Sequence, residues 1–181
     1  IEMKRLLVFL LCTSAVFLSC KDNQIGSALT SAEISMNDNP ESSLEILESI
    51  DRDLLSTRKQ KAKFALLYSM ALDKNYIDIK TDSIIAPAVI YYENHGAKEE
   101  RFLCNYYHAR IYENCGDKEN ALLCAIKAES VDTSKVSSQS KYLLYALKGR
   151  IYQQEWRFHE SIEAYILACR YSLLSNKFRH Y

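Results

Sequence analysis

Two segments lying forty residues apart, "ARIYENCGDKENALLCAIKA" (Ala109 to Ala128) and "GRIYQQEWRFHESIEAYILA" (Gly149 to Ala168), carry the same Arg, Ile and Tyr at their second to fourth places. A later Ile and the closing Ala are also shared. Small residues correspond at Ala109 and Gly149, and at Ala121 and Ser161. Self-similarity at a period of roughly 20–50 residues marks chains built from stacked supersecondary units, each too small to bury its apolar face alone. Composition narrows the choice of unit. Four Gly and two Pro in 181 residues, with 48% apolar and 25% charged side chains, leave little material for turns and phosphate-cradling loops. The expectation is all-α.

Apolar spacing extends that reading towards the N-terminus. Leu29, Ala32 and Met36 define a short helix stopped by "NDNP", and Pro40 suits the first turn of the next helix, whose stripe is Leu44, Leu47 and Ile50. A third helix is expected over about 54–72, with Ala62, Leu66 and Met70 at period four. A loop over 75–83 should end in a capping Asp82 or Ser83. Pro87 is expected to kink the helix that follows, and Gly96 to terminate it. The organisation expected is helix pairs over 27–51 and 54–95, two clear repeats over 97–174, and the start of a truncated further helix at 175–181.

The residues of the two repeats resemble the tetratricopeptide repeat, a helix-turn-helix unit of about 34 residues. The first matches at Ala109, Tyr112, Gly116, Ala121 and Ala128, and the second at Gly149, Tyr152, Ser161, Tyr165 and Ala168. Ala125 stands where an aromatic is usual and Trp156 where the turn Gly is usual. The resemblance implies an antiparallel helix-pair solenoid whose first helices line a concave groove for a protein or peptide. Aligned with that family, the groove positions are Tyr106, Arg110, Glu113 and Asn114 in one repeat. In the next they are Ala146, Arg150, Gln153 and Gln154. Arg110 and Arg150 would then form a short basic ladder suited to carboxylates, against the alternative that Arg110 pairs with Glu113 one turn on.

The first twenty residues are a separate object. Lys4 and Arg5 precede an apolar run over 6–18, too short for the ~20 residues that span a bilayer, and Met3 is the natural initiator. "FLSC", ending at Cys20, resembles a bacterial lipobox, with Phe17 where Leu is commoner. The resemblance implies a signal peptide over 1–19, a lipid-bearing Cys20 and a polar tether over 20–26, continued in the polar stretch Lys21 to Ser31. Two or three acyl chains make such an anchor effectively permanent. Without the leader, 21 basic and 22 acidic side chains remain, which suggests no nucleic-acid partner.

Catalytic and metal signatures are lacking in the sequence. Cys104 and Cys124 could lie side by side on antiparallel helices, either bonded in an oxidising compartment or as buried free thiols. "HESIE" (His159 to Glu163) lacks the second His of a helical zinc site, and no cofactor or metal is expected. The functional expectation is a membrane-anchored exported lipoprotein, periplasm-facing or on the outer membrane, that binds protein or peptide without catalysis. The alternatives are the sensor part of a longer signalling protein and a glycan-capture lipoprotein.

Overall fold

The computed structural model describes residues 23–177. Within them the chain forms eight α-helices and no strand: α1 (23–35), α2 (Pro40–Glu48), α3 (Arg58–Lys74), α4 (Ala86–Tyr92), α5 (Lys98–Asn114), α6 (Lys118–Glu129), α7 (Ser138–Gln154) and α8 (Phe158–Lys177). Two short 3₁₀ turns, Arg52–Leu54 and Thr133–Lys135, lead into α3 and α7. The leader and Cys20 lie outside the described residues.

Sequence neighbours pack in pairs, α3 on α4, α5 on α6 and α7 on α8, and α5 also touches both α3 and α7. The period is regular. Helices α3, α5 and α7 are each 17 residues long and begin at 58, 98 and 138, so the forty-residue repetition embraces a third unit that the sequence motif does not reveal.

Each of these three helices ends in the same turn. The amide five residues on donates back to a carbonyl of the last helical turn: Ile77 to Leu72, Asp117 to Tyr112 and Arg157 to Tyr152, all at 2.9 Å. This closure needs a left-handed residue just past the helix. Gly116 fills that position at φ 77°, while its counterparts are Tyr76 at φ 60° and Trp156 at φ 59°, which adopt the glycine conformation at a steric cost. Trp156 therefore preserves the turn without the Gly that Gly116 supplies in the preceding unit.

Small side chains set how closely the helices approach. Ser69, Ala109 and Gly149 occupy the same place in α3, α5 and α7. Ala88, Ala128 and Ala168 do so in the facing helices, and all three are buried. At Gly149 the fit is tightest: an added Cβ would lie 2.7 Å from the Tyr165 ring. The Ser161 hydroxyl donates to the Gly149 carbonyl at 2.9 Å across the same contact. Buried Ala121, Ala125 and Ala128 give α6 a flat surface against α5. Tyr112 is half-buried against the His108 ring, and Tyr152 lies beneath the Arg157 guanidinium at 4.6 Å.

Several local expectations are corrected. Residues 23–31 are helical, with Ile25 and Leu29 buried, so the polar tether does not extend through them. Alternating polar positions in that stretch are the solvent face of α1. Helix α3 starts four residues later than expected because Thr57 and Gln60 form a reciprocal capping box. Pro87 does not kink a helix. It sits in the first turn of the short α4, where its missing N–H needs no partner, and it prevents α4 from starting as early as α6 does. Neither Asp82 nor Ser83 caps α4, whose N-cap is Ile85 with no side-chain bond. Ser175 to Lys177 is the last turn of α8, not a new helix.

Candidate interaction site

The positions aligned with a groove lie on the C-terminal halves of α5 and α7, and the structure joins their charges into one chain. Arg110 donates from Nε and Nη2 to Asp73 Oδ1 at 2.9 and 2.7 Å, and its Nη1 bonds Glu113. Glu113 also accepts from Arg150 Nε and Nη2, at 3.0 and 3.1 Å. The order is therefore Asp73, Arg110, Glu113, Arg150, running from α3 through α5 to α7. Each inter-helix step spans 37 residues, the forty-residue period less one helical turn.

This arrangement overturns the basic ladder. Two guanidiniums face two carboxylates, and both acids are sheltered, so the arginines are committed within the molecule and offer no net charge to a ligand. Burial alone would lower the Arg110 pKa, but the charge and hydrogen bond of Asp73 hold it above the ordinary arginine value. Glu113 does the same for Arg150 against the same opposing effect of burial. Sequence reasoning missed Asp73. The signal was present, since Asp73 precedes Arg110 by the same 37 residues that separate Glu113 from Arg150.

Tyr106 is also not an open platform. It is buried edge-to-face against Tyr107, with ring centroids 4.8 Å apart, and burial raises its pKa. Asn114 turns inward, its Nδ2 donating to the Ile79 carbonyl at 3.4 Å. Gln153 and Gln154 remain exposed; Gln153 accepts from the Tyr165 hydroxyl at 3.3 Å and the Gln154 carbonyl accepts from Lys118 Nζ at 3.2 Å. Ala146 is half-buried between them and the helix start. What this face can do chemically is donate and accept neutral hydrogen bonds at the two glutamines.

Elsewhere, Cys104 and Cys124 are buried free thiols, each with its pKa raised chiefly by burial. His159 pairs with Glu163 on the surface at 3.3 Å. No cluster of three metal-ligating side chains exists among the described residues, and none of their helices is long and apolar enough to cross a membrane. A surface cleft of about 450 Å³ between α3 and α4 is lined by Arg58, Lys61, Pro87, Ile90, Tyr91 and His95, with the Tyr91 and His95 rings stacked 4.6 Å apart. Compared with known proteins, the chain matches no family model, no curated protein and no solved structure.

Proposed function

We propose that this chain is a tetratricopeptide-like solenoid that binds an extended peptide or helix of a partner protein, and that it is exported and held to a membrane through a lipid on Cys20. The observation that carries the binding role is the recurrence, at forty-residue steps, of equal helices closed by the same turn and spaced by a small residue at the same place. Stacked units of this kind build extended surfaces whose side chains can vary without disturbing the core. The internal neutralisation of Arg110 and Arg150 refines the partner's chemistry: recognition relies on amide hydrogen bonds at Gln153 and Gln154 more than on acidic residues of the ligand. Such binding should change little with salt, because no free charge is screened. The Cys20 anchor rests on the lipobox resemblance alone.

The test places a photo-cross-linking amino acid at Gln153 or Gln154, and separately at exposed Leu123 on α6, in cells of the native host. A discrete adduct from the two glutamine positions, absent from Leu123, is the expected result. Adducts identical from all three positions would sink the groove reading. For the anchor, labelled palmitate should enter the unmutated protein and not Cys20→Ala; no incorporation into either would end the lipoprotein reading.

A further inference from the structure

The seam between α3 and α5 is open at a place where the matching seam between α5 and α7 is closed. In the second seam Glu99 of α5 accepts from the Ser137 amide and hydroxyl at 2.8 and 3.0 Å, and from the Ser140 hydroxyl of α7. Val136, just before them, is buried in the core. Forty residues earlier the corresponding positions are Lys59 for Glu99, Gly96 for Val136, Ala97 for Ser137 and Glu100 for Ser140. Both closing parts are therefore absent: Gly96 has no side chain to bury and Ala97 no hydroxyl to donate. Lys59 and Glu100 carry opposite charges where the second seam has its Glu99 to Ser140 bond, yet neither has an ion pair or hydrogen bond among the described residues.

The space left is a cavity of about 320 Å³ lined from α1, α3, α4 and the start of α5. That volume is at the small end of ligand pockets and equals the share of roughly ten waters. Buried Leu66 and Leu67 and the Tyr92 ring give it an apolar wall. Glu33 enters from α1 already paired with Lys63 at 2.6 Å. One unpaired ammonium and one unpaired carboxylate remain on the lining, Lys59 and Glu100. Lys59 is exposed, whereas Glu100 Oε2 is sheltered and no donor faces it. A carboxylate drawn out of water without a donor is unfavourable, and native structures rarely leave one so. A Cβ on Gly96 would lie 2.6 Å from the Tyr92 ring and 3.8 Å from Glu100 Oε2, so any side chain there would enter the space beside the carboxylate.

We propose that this cavity binds a small zwitterion, an apolar α-amino acid or dipeptide, whose ammonium meets Glu100, whose carboxylate meets Lys59 and whose side chain lies on Leu66, Leu67 and the Tyr92 ring. Such a molecule supplies across the first seam the bridge that Glu99 and the two serines make across the second. A lining with one free charge of each sign selects against ligands that carry only one. Leu67 belongs to the apolar cluster of α1 and α2, and Leu66 and Tyr92 to that of the later helices, so an occupant touches both. Binding here needs neither the glutamine face nor the Cys20 anchor.

Isothermal titration of the full chain with leucine, phenylalanine and alanyl-leucine tests this. At least one should bind with a Kd between about 10 µM and 1 mM, the order of magnitude open to molecules of so few heavy atoms. The N-acetyl derivative of that probe, which lacks the ammonium, should not bind. Its amide, which lacks the carboxylate, should bind about tenfold more weakly, as read by ligand-observed NMR. Glu100→Gln should abolish binding of both the probe and its amide. Lys59→Ala should weaken the probe about tenfold, to the level of the amide, and leave the amide's own Kd unchanged. Helical circular dichroism should be the same for both variants, since Lys59 is exposed and Gln is isosteric with Glu. No binding of any of the three probes up to about 20 mM, equal affinity for the N-acetyl derivative, or a probe Kd unchanged in either variant would overturn the proposal.

Discussion

Replacing Glu113 with Ala removes the one side chain that joins two arginines from different helices, and the structure lets the cost be worked out in parts. The Glu113 side chain is 9% exposed and accepts three hydrogen bonds from guanidinium groups. Arg110 keeps its two bonds to Asp73 after the change, so it loses a partner without becoming orphaned. Sheltered charge-assisted bonds contribute about 1.5–3 kcal/mol each, and with Asp73 still in place the loss at Arg110 falls near the lower figure. Arg150 is 42% exposed and rehydrates when released, so its share is discounted to the ~0.5 kcal/mol typical of surface pairs. The total expected is about 2 kcal/mol. Urea unfolding followed by circular dichroism at 222 nm would read it as a fall in midpoint at unchanged slope. Combining Glu113→Ala with Arg150→Ala should give a coupling energy of only about 0.5 kcal/mol. A Glu113→Ala cost below ~0.5 kcal/mol would show that the relay contributes little to the stability of the fold. A coupling above ~2 kcal/mol would show that Arg150 is shielded in a way its exposure denies.

The left-handed positions offer a test with the opposite sign. Tyr76 is 95% exposed, so Tyr76→Gly loses no packing and relieves roughly 1–2 kcal/mol of backbone cost, less about 0.4–1 kcal/mol of extra freedom in the unfolded chain. A net gain of roughly 0.5–1 kcal/mol, about 2 °C in Tm, is expected, with Gly116→Ala falling by a similar amount; a destabilised Tyr76→Gly would refute the shared-turn reading. Burial lowers the His108 pKa, with the Asp82 charge raising it and Lys127 lowering it, and His108 Nε2 has no partner. The folded chain thus binds a proton less readily than the unfolded one, so this contribution is complete above the ordinary value near 6.5 and is lost as pH falls from there towards the lower folded pKa. His108→Phe should flatten the stability profile across that window, measured by urea midpoints at stepped pH.

Much of the fold was legible because it rests on patterns that a chain cannot hide. Helical spacing at Leu29, Ala32 and Met36 and Pro40 in the first turn of α2 read directly, since each follows from local backbone chemistry, whereas Gly96 takes the expected left-handed conformation at φ 80° but lies four residues past Tyr92, where α4 ends. The helix pair over 54–95 was expected, but its place in the forty-residue repetition was not, because Leu72 stands where the other two units carry Tyr112 and Tyr152 and Tyr76 meets the demand of the turn in place of Gly. The start of α4 was missed because Pro87 was read as a break inside a helix, and the distinction depends on where the preceding turn ends. The candidate site was the least legible part. The tyrosines and arginines were placed on the correct helices, but whether Arg110 meets a ligand or Asp73 depends on a contact spanning 37 residues, which no local pattern encodes.

The uniform 37-residue reach of the relay makes the units interchangeable. If residues 98–137 were excised, α7 would follow α4 directly and Arg150 would stand 37 residues after Asp73, the separation now held by Arg110. The acid of α3 would find a guanidinium waiting in register, and the turn at Tyr76 would be followed forty residues on by the turn at Trp156. Length in this chain can thus be altered by whole steps of forty residues with its inter-helix ionic wiring intact, whereas a change of one or two residues would leave Asp73 or Glu113 sheltered opposite nothing.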